Sequence, residues 1–274
     1  SEELRKNADI AMYKAKEMGK NTFAFFNEET NLQVRRQHAI EVALRKAIKQ
    51  NEFHLLYQPQ VAAESDDLFG VETLLRWDNP NLGTVPPAEF IPIAEECGLI
   101  NDIGTWVLNQ VAIDCEKLKT VSKKIKISIN VSIRQLENVK FERQIRQLLA
   151  QYQMTTEQLV FEITETALMR DPDKVINVMS RLSSQGIRFA LDDFGVGYTS
   201  FGIFNKLDVD EIKIDRSFIK DIAIDYRSRA ITSGIVDIAK GFGIQVVAEG
   251  IETLEQLCIL EELDCEQAQV ASLC

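Results

Sequence analysis

The chain has 274 residues with 31 basic and 42 acidic side chains, a net charge of −11, and 45% hydrophobic residues, which excludes disorder as its main state. So acidic a chain is excluded as a non-specific binder of duplex nucleic acid, which needs a basic surface. Five cysteines without CxxC pairing and only two histidines, His38 and His54, exclude a zinc finger and a His-rich metal site.

No apolar run approaches the roughly 18 residues of a membrane span, and no signal peptide opens the chain, so the expected location is cytoplasmic. Ala8, Ala11, Met12, Ala15 and Met18 share a helical face that Gly19 stops, and a short strand-like run follows at Thr22–Phe26. These elements hold too little apolar surface for a core. Residues 1–31 are therefore either an N-terminal extension or the tail of a preceding domain, and residues 32–274 form the main domain.

From about residue 38, short β-rich runs alternate with longer amphipathic segments, the pattern of βα units around a mainly parallel sheet. Strands are predicted at 54–61, 68–77, 125–131, 159–165, 188–193, 211–215, 245–250 and 268–273. Helices are predicted at 102–119, 140–152, 172–186, 226–241 and 253–263, with Gly186 and Gly243 as C-caps. About eight strands in this length is the size of an α/β, TIM-like (β/α)8 barrel. A doubly wound sheet would also alternate, but would not predict what stands at the strand ends.

In a parallel barrel the reactive side chains project from the C-terminal strand ends into one mouth. In order, the predicted strands bring Glu72 and Arg76, then Asn130, then Glu162 and Glu165, then Asp192-Asp193 before a glycine-containing loop. Lys213 and Asp215, Glu249, and finally Gln267 and Gln269 follow. Singly, each carboxylate reads as a helix cap or a solvated loop residue. Jointly, carboxylates converging on one mouth resist ionisation unless positive charge joins them. Hard oxygen donors without His or Cys suit Mg2+ or Mn2+, and adjacent aspartates can serve two ions. The residues by themselves point to a divalent-metal barrel enzyme acting on phosphate.

At these positions the chain resembles the EAL-domain family, phosphodiesterases that hydrolyse cyclic di-GMP. The segments that carry the resemblance are Val71-Glu72-Thr73-Leu74-Leu75-Arg76-Trp77, Ile129-Asn130-Val131-Ser132 with Gln135, and Phe161-Glu162-Ile163-Thr164-Glu165. Leu191-Asp192-Asp193-Phe194-Gly195, Ile212-Lys213-Ile214-Asp215 and Val247-Ala248-Glu249-Gly250-Ile251-Glu252-Thr253 complete them. Residues 7–27 resemble the last helix and strand of a GGDEF domain, without its nucleotide-binding portion.

The resemblance implies that Glu72, Asn130, Glu162 and Asp192 hold a first metal ion, and that Asp192, Asp193 and Glu249 surround a second and the attacking water. It makes Lys213 the catalytic lysine, supported by Asp215 and Gln269, and Glu165 the anchor of the loop after Asp193. Arg76 and Gln58 match residues that contact the ligand. The implied reaction is hydrolysis of cyclic di-GMP to linear pGpG with two Mg2+ or Mn2+ ions per site, in a homodimer. The family also implies a modified first strand.

Three departures stand out. Thr73 replaces an alanine, at an expected cost in packing only, and Val196 replaces a hydroxyl residue in the loop after the aspartates. After Gln269 the family continues with a glycine, an aromatic, a strand and a helix, whereas here Val270-Ala271-Ser272-Leu273-Cys274 follows. The expectation is a shortened last unit with an exposed barrel seam. The alternative function is a cyclic di-GMP receptor that no longer cuts its ligand.

Overall fold

The structure is a computed structural model that describes Met12 and residues 28–270, apart from 64, 66, 122–124, 153 and 198–200. The helix expected at 8–18 (Met12 aside), the strand expected at 22–26 and the last four residues lie outside the described residues. The chain divides into two compact units, one of residues 1–54 and 76–99, the other of residues 55–75 and 100–274.

In the first unit, α1 (Glu28–Ala47) buries Ile40, Leu44 and Ala47 at spacings of four and three, one face of a helix. Sequence patterning left α1 unassigned because these few apolar positions are diluted among charged neighbours. Strands β1 (Phe53–Ala62) and β2 (Leu68–Asn79) each reach into this unit by one end. β2 turns back into β3 (Gly83–Val85), pairing Trp77 with Val85, and α2 (Pro87–Glu96) follows with a proline at its first turn, where no N–H is needed. Trp77 is fully buried, edge-on to Phe90 at 5.4 Å and tilted against Phe53 at 5.8 Å. Its indole Nε1 donates to the buried Glu52 carboxylate at 2.9 Å, as does Asn79 Nδ2, so the acid enters the core satisfied.

In the second unit, α3 (Ile100–Val121) leads to β4 (Lys126–Asn130), followed by α4 (Ile133–Leu136) and α5 (Phe141–Gln151). Then come β5 (Leu159–Thr164), α6 (Glu165–Leu168), α7 (Pro172–Ser183), β6 (Arg188–Phe194) and α8 (Phe201–Phe204). Next are β7 (Glu211–Ile214), α9 (Arg216–Ile219) and α10 (Tyr226–Phe242). The last are β8 (Gln245–Ile251), α11 (Leu254–Glu262) and β9 (Gln267–Val270). Four-residue helices in the connections after β4, β5, β6 and β7 escaped the sequence reading because a single turn carries no periodicity. Gly243 is the left-handed C-cap of α10 (φ 71°). Gly186 is not a cap; Ser184 ends α7 and Gly186 takes the left-handed turn two residues later.

The strand order β1-β9-β8-β7-β6-β5-β4-β2, with β1 also paired to β2, closes an eight-stranded barrel, and β3 is appended outside it. Strands from β4 to β9 and β2 run parallel, but β1 runs antiparallel to β9, with Gln60 opposite Gln269. This is the modified first strand that the family resemblance implied. β9 is hydrogen-bonded on both edges, so the exposed seam expected from the short last unit does not appear among the paired strands.

Barrel strands buried on both faces usually read as unbroken apolar runs. Here they alternate, because the interior is polar. Ile212 and Ile214 of β7 join Ala248 of β8 in a cluster with Ile235, Val236 and Ala239 of α10 and Leu260 of α11. Glu211 and Lys213, which alternate with Ile212 and Ile214 in sequence, take the other face. Removing each such side chain from water contributes about 1.5–3 kcal/mol to holding the helices on the sheet.

Thr73 shows a cost beyond packing. It lies on the outward face of β2, is 4% exposed, and its hydroxyl has no hydrogen-bond partner. Thr73→Val keeps the shape and removes the buried hydroxyl, so it is expected to stabilise the fold by about 1 kcal/mol. The check is a higher urea midpoint at unchanged slope.

Candidate active site

Strand alternation brings one polar side chain from each barrel strand into one connected cluster. These are Gln60 from β1, Glu72 from β2, Asn130 from β4, Glu162 from β5, Asp192 from β6, Lys213 from β7, Glu249 from β8 and Gln269 from β9. The Lys213 side chain is 0% exposed, and its Nζ lies 2.6 Å from Glu249 Oε1, 2.9 Å from Glu72 Oε2, 3.1 Å from Glu162 Oε2 and 3.4 Å from Asp192 Oδ1. One ammonium thus faces four carboxyl groups.

Burial alone would lower the lysine's pKa, but Glu162, Asp192, Glu249 and Glu72 outweigh it and hold the ammonium well above its ordinary value. The carboxylates divide. Burial works against ionisation of Glu72, yet the Lys213 charge and hydrogen bonds from Gln269, Lys213 and Asn130 bring its pKa below the usual value. Glu162 is more deeply enclosed, its oxygens accept no hydrogen bond, and burial raises its pKa well above normal despite Lys213. Burial, with Asp192 adding repulsion, pushes Glu249 up to about 7 even though Lys213 pulls the other way.

At the end of β6, Asp193 adopts φ 54°, a left-handed conformation that aspartate tolerates better than most residues, and its N–H donates to Asp192 Oδ1 at 3.0 Å. The pairing of β6 with β7 slips between Leu191 and Phe194, so the two adjacent aspartates escape strict alternation. Oxygens of Asp192, Asp193 and Glu249 lie within 4.8 Å of one another. An all-oxygen donor set, short of positive charge and including the unpartnered Glu162 oxygens, fits a hard divalent cation. Asn130 donates through Nδ2 to Glu72 Oε1 at 2.8 Å, which keeps its carbonyl oxygen available as a further donor atom.

The other expected positions stand on the barrel strands and on the segments that follow them. Glu165, buried at the start of α6, accepts at Oε2 from the N–H groups of Gly195 and Gly197, both at 3.0 Å, and so holds the loop that follows Asp193. Asp215 caps α9 by accepting from Ser217 N–H. Gln58 is half-buried on β1, and Arg76 is half-buried on β2 within the first unit. Val196 is 59% exposed. Two interior residues went unread in the sequence: Gln60, which looked like one more strand residue, and Glu211, buried two positions before Lys213 with Oε2 3.9 Å from Lys126.

Fold and site together define a class of closed barrels whose strands gather carboxylates around one lysine. The EAL domain family profile matches residues 41–269, and the chain belongs to that family. It is 36% identical over 271 residues to the bifunctional diguanylate cyclase/cyclic di-GMP phosphodiesterase MucR of Pseudomonas aeruginosa, covering 97% of this chain and 39% of that protein. It is 34% identical over 269 residues to the cyclic di-GMP phosphodiesterase NbdA of the same organism, covering 98% and 34%. The chain therefore spans little more than a third of the length of these relatives. The solved PaMucR phosphodiesterase in complex with c-di-GMP superposes with a TM-score of 0.79 at 35% identity, covering 85% of this chain and 94% of that one. The FimX EAL domain from Pseudomonas aeruginosa bound to c-di-GMP gives 0.76 at 26% identity, covering 84% and 93%. Among the described residues no helix is long and apolar enough to cross a membrane.

Proposed function

We propose that this chain hydrolyses cyclic di-GMP to linear pGpG, using a water activated at a divalent-metal centre in the barrel mouth. The observation that carries this reading is the fully buried Lys213 ammonium held by four carboxylates from four strands. Glu72, Asn130, Glu162 and Asp192 would hold one Mg2+ or Mn2+ ion, and Asp192, Asp193 and Glu249 a second. Bound there, the ions lower the pKa of water and offset charge on the phosphate.

The chain's own groups do the rest. Lys213, kept cationic by its surroundings, orients the attacking water and favours its loss of a proton. The water oxygen bonds to phosphorus, the P–O3′ bond breaks, and the leaving 3′-oxygen takes up a proton, which leaves the phosphate on the 5′ side as in pGpG. Glu249 and Asp215 border the water, and Gln269 steadies Glu72 by a hydrogen bond of 2.6 Å. Arg76, whose planar guanidinium suits phosphate, and Gln58 contact the dinucleotide. The reading extends to a cytoplasmic homodimer, to residues 1–31 as the end of a GGDEF domain and to residues 32–274 as the EAL domain.

Purified chain incubated with cyclic di-GMP and Mg2+ or Mn2+ is expected to release pGpG, followed by chromatography, and Glu72→Ala is expected to release none. Ligand bound but uncut by the parent chain would replace this reading by that of a receptor.

The Asp193 loop provides a second test. A Cβ on Gly197 would stand 2.7 Å from Glu165 Cδ, so in Gly197→Ala the loop and the Glu165 carboxyl must move apart. A displacement of this kind typically costs up to about 100-fold in rate. The expected outcome is a 10–100-fold fall in pGpG release with little change in melting temperature.

A further inference from the structure

We infer that Gln60 is a positioning residue for Glu72, acting through the carboxamide of Gln269. The inference rests on the proposed metal centre, since it concerns how one of that centre's carboxylates is held.

The antiparallel β1 makes the contact possible. It sets Gln60 directly opposite Gln269, where facing side chains approach within reach of one another. Gln60 is 1% exposed and Gln269 4%. Gln60 Nε2 donates to Gln269 Oε1 at 3.0 Å, and Gln269 Nε2 donates to Glu72 Oε2 at 2.6 Å.

A carboxamide has a donor end and an acceptor end. With its oxygen taken by Gln60, Gln269 must present its NH2 group to the carboxylate. Turned the other way, it would set its carbonyl oxygen against Glu72 and its NH2 against the Gln60 donor, two repulsive contacts in a dry interior. Gln60 therefore fixes the polarity of Gln269. Gln269 and Lys213 (2.9 Å) then fix one Glu72 oxygen while Asn130 (2.8 Å) fixes the other.

Gly70, two residues before Glu72 on the same face of β2, provides the room. A Cβ there would lie 2.7 Å from Gln60 Oε1 and 3.3 Å from the carbonyl oxygen of Lys126.

The test is Mn2+ binding by the purified chain, read from the electron paramagnetic resonance of free Mn2+, with no turnover involved. Partners one shell out from a metal ligand typically carry 10–100-fold in metal affinity. Gln60→Leu is therefore expected to weaken Mn2+ binding by about 10-fold or more, and to lower kcat while KM for cyclic di-GMP stays within about twofold. Gln269→Leu is expected to do the same, and the double variant to bind no more weakly than Gln269→Leu alone, because one route carries both effects. Losses that multiply in the double variant, or Mn2+ affinity in Gln60→Leu equal to the parent's, would overturn the inference while leaving the metal centre standing. Should Gln60→Leu fail to fold, Gly70→Ala displaces the same amide from the β2 side and must weaken Mn2+ binding likewise; unchanged binding overturns the inference. A parent chain that binds no Mn2+ would overturn the proposed centre and this role with it.

Discussion

Replacing Lys213 by methionine is expected to lower pGpG release by a factor of about 100–1,000, and to destabilise the fold as well. The rate loss follows from removing a preorganised cation beside the reacting phosphate, where a single donor is worth about 100–1,000-fold. The structural loss follows from charge balance. Glu72, Glu162, Asp192 and Glu249 all lie within 3.4 Å of this one ammonium, and without it they face each other in a buried barrel. Breaking a buried pair by deleting one partner costs about 3–5 kcal/mol. The sign with pH is fixed by the direction of the shift. The folded-state pKa of Lys213 is raised, so its contribution is fully present at neutral pH and is lost only as pH rises through that raised value. Denaturant midpoints in chelator at neutral pH check the stability, and chromatography the rate. Methionine that melts like the parent in chelator would mean that the carboxylates do not lean on Lys213.

Adding Mn2+ to the metal-free chain is expected to raise its melting temperature by on the order of 5–10 °C at 100 times the dissociation constant, and chelator is expected to reverse the rise. A ligand that binds only the folded state at that excess contributes about 2.7 kcal/mol, and a domain of this size gains about 2–4 °C per kcal/mol. The motive is the same imbalance seen from the other side: one ammonium cannot neutralise four carboxylates, and Glu162 lacks any hydrogen bond. The shift should vanish in Glu72→Ala and persist in Glu165→Gln, since Glu165 accepts from the loop N–H groups of Gly195 and Gly197 and is not among the proposed ligands. A flat melting curve across the Mn2+ titration would remove the metal centre from the reading.

The two effects separate in one experiment. Lys213→Met should melt lower in chelator yet gain at least as much from Mn2+ as the parent, because the same four carboxylates then have only the ion to offset them.

Much of this was legible in the amino-acid order. Period-two alternation in segments such as Glu211-Ile212-Lys213-Ile214 marks strands with a polar inner face, and that face is where Glu72, Asn130, Glu162, Asp192, Lys213, Glu249 and Gln269 all lie. Local chemistry sufficed there, since which way a strand residue points depends on its neighbours and on which face must be dry. The left-handed cap at Gly243 was legible for the same local reason, whereas Gly186 was misplaced by two residues because the helix stops at Ser184 without needing a glycine.

Tertiary structure alone decided what those residues do to one another. That Lys213 meets four carboxylates depends on closure of the barrel across β1, β2 and β9, a contact between segments some 200 residues apart, as Glu72 and Gln269 are. Two glutamates alike in sequence, Glu72 and Glu162, end with pKa values shifted in opposite directions. Burial dominates at Glu162, whose oxygens accept no hydrogen bond, while at Glu72 it is offset by the Lys213 charge and by bonds from Gln269, Lys213 and Asn130. Gln60 acquired its place only because β1 runs antiparallel and sets it across from Gln269. Alternation is a property of a single strand, but pairing, burial and charge balance are properties of the closed sheet, and these turned a row of separate acids into one site.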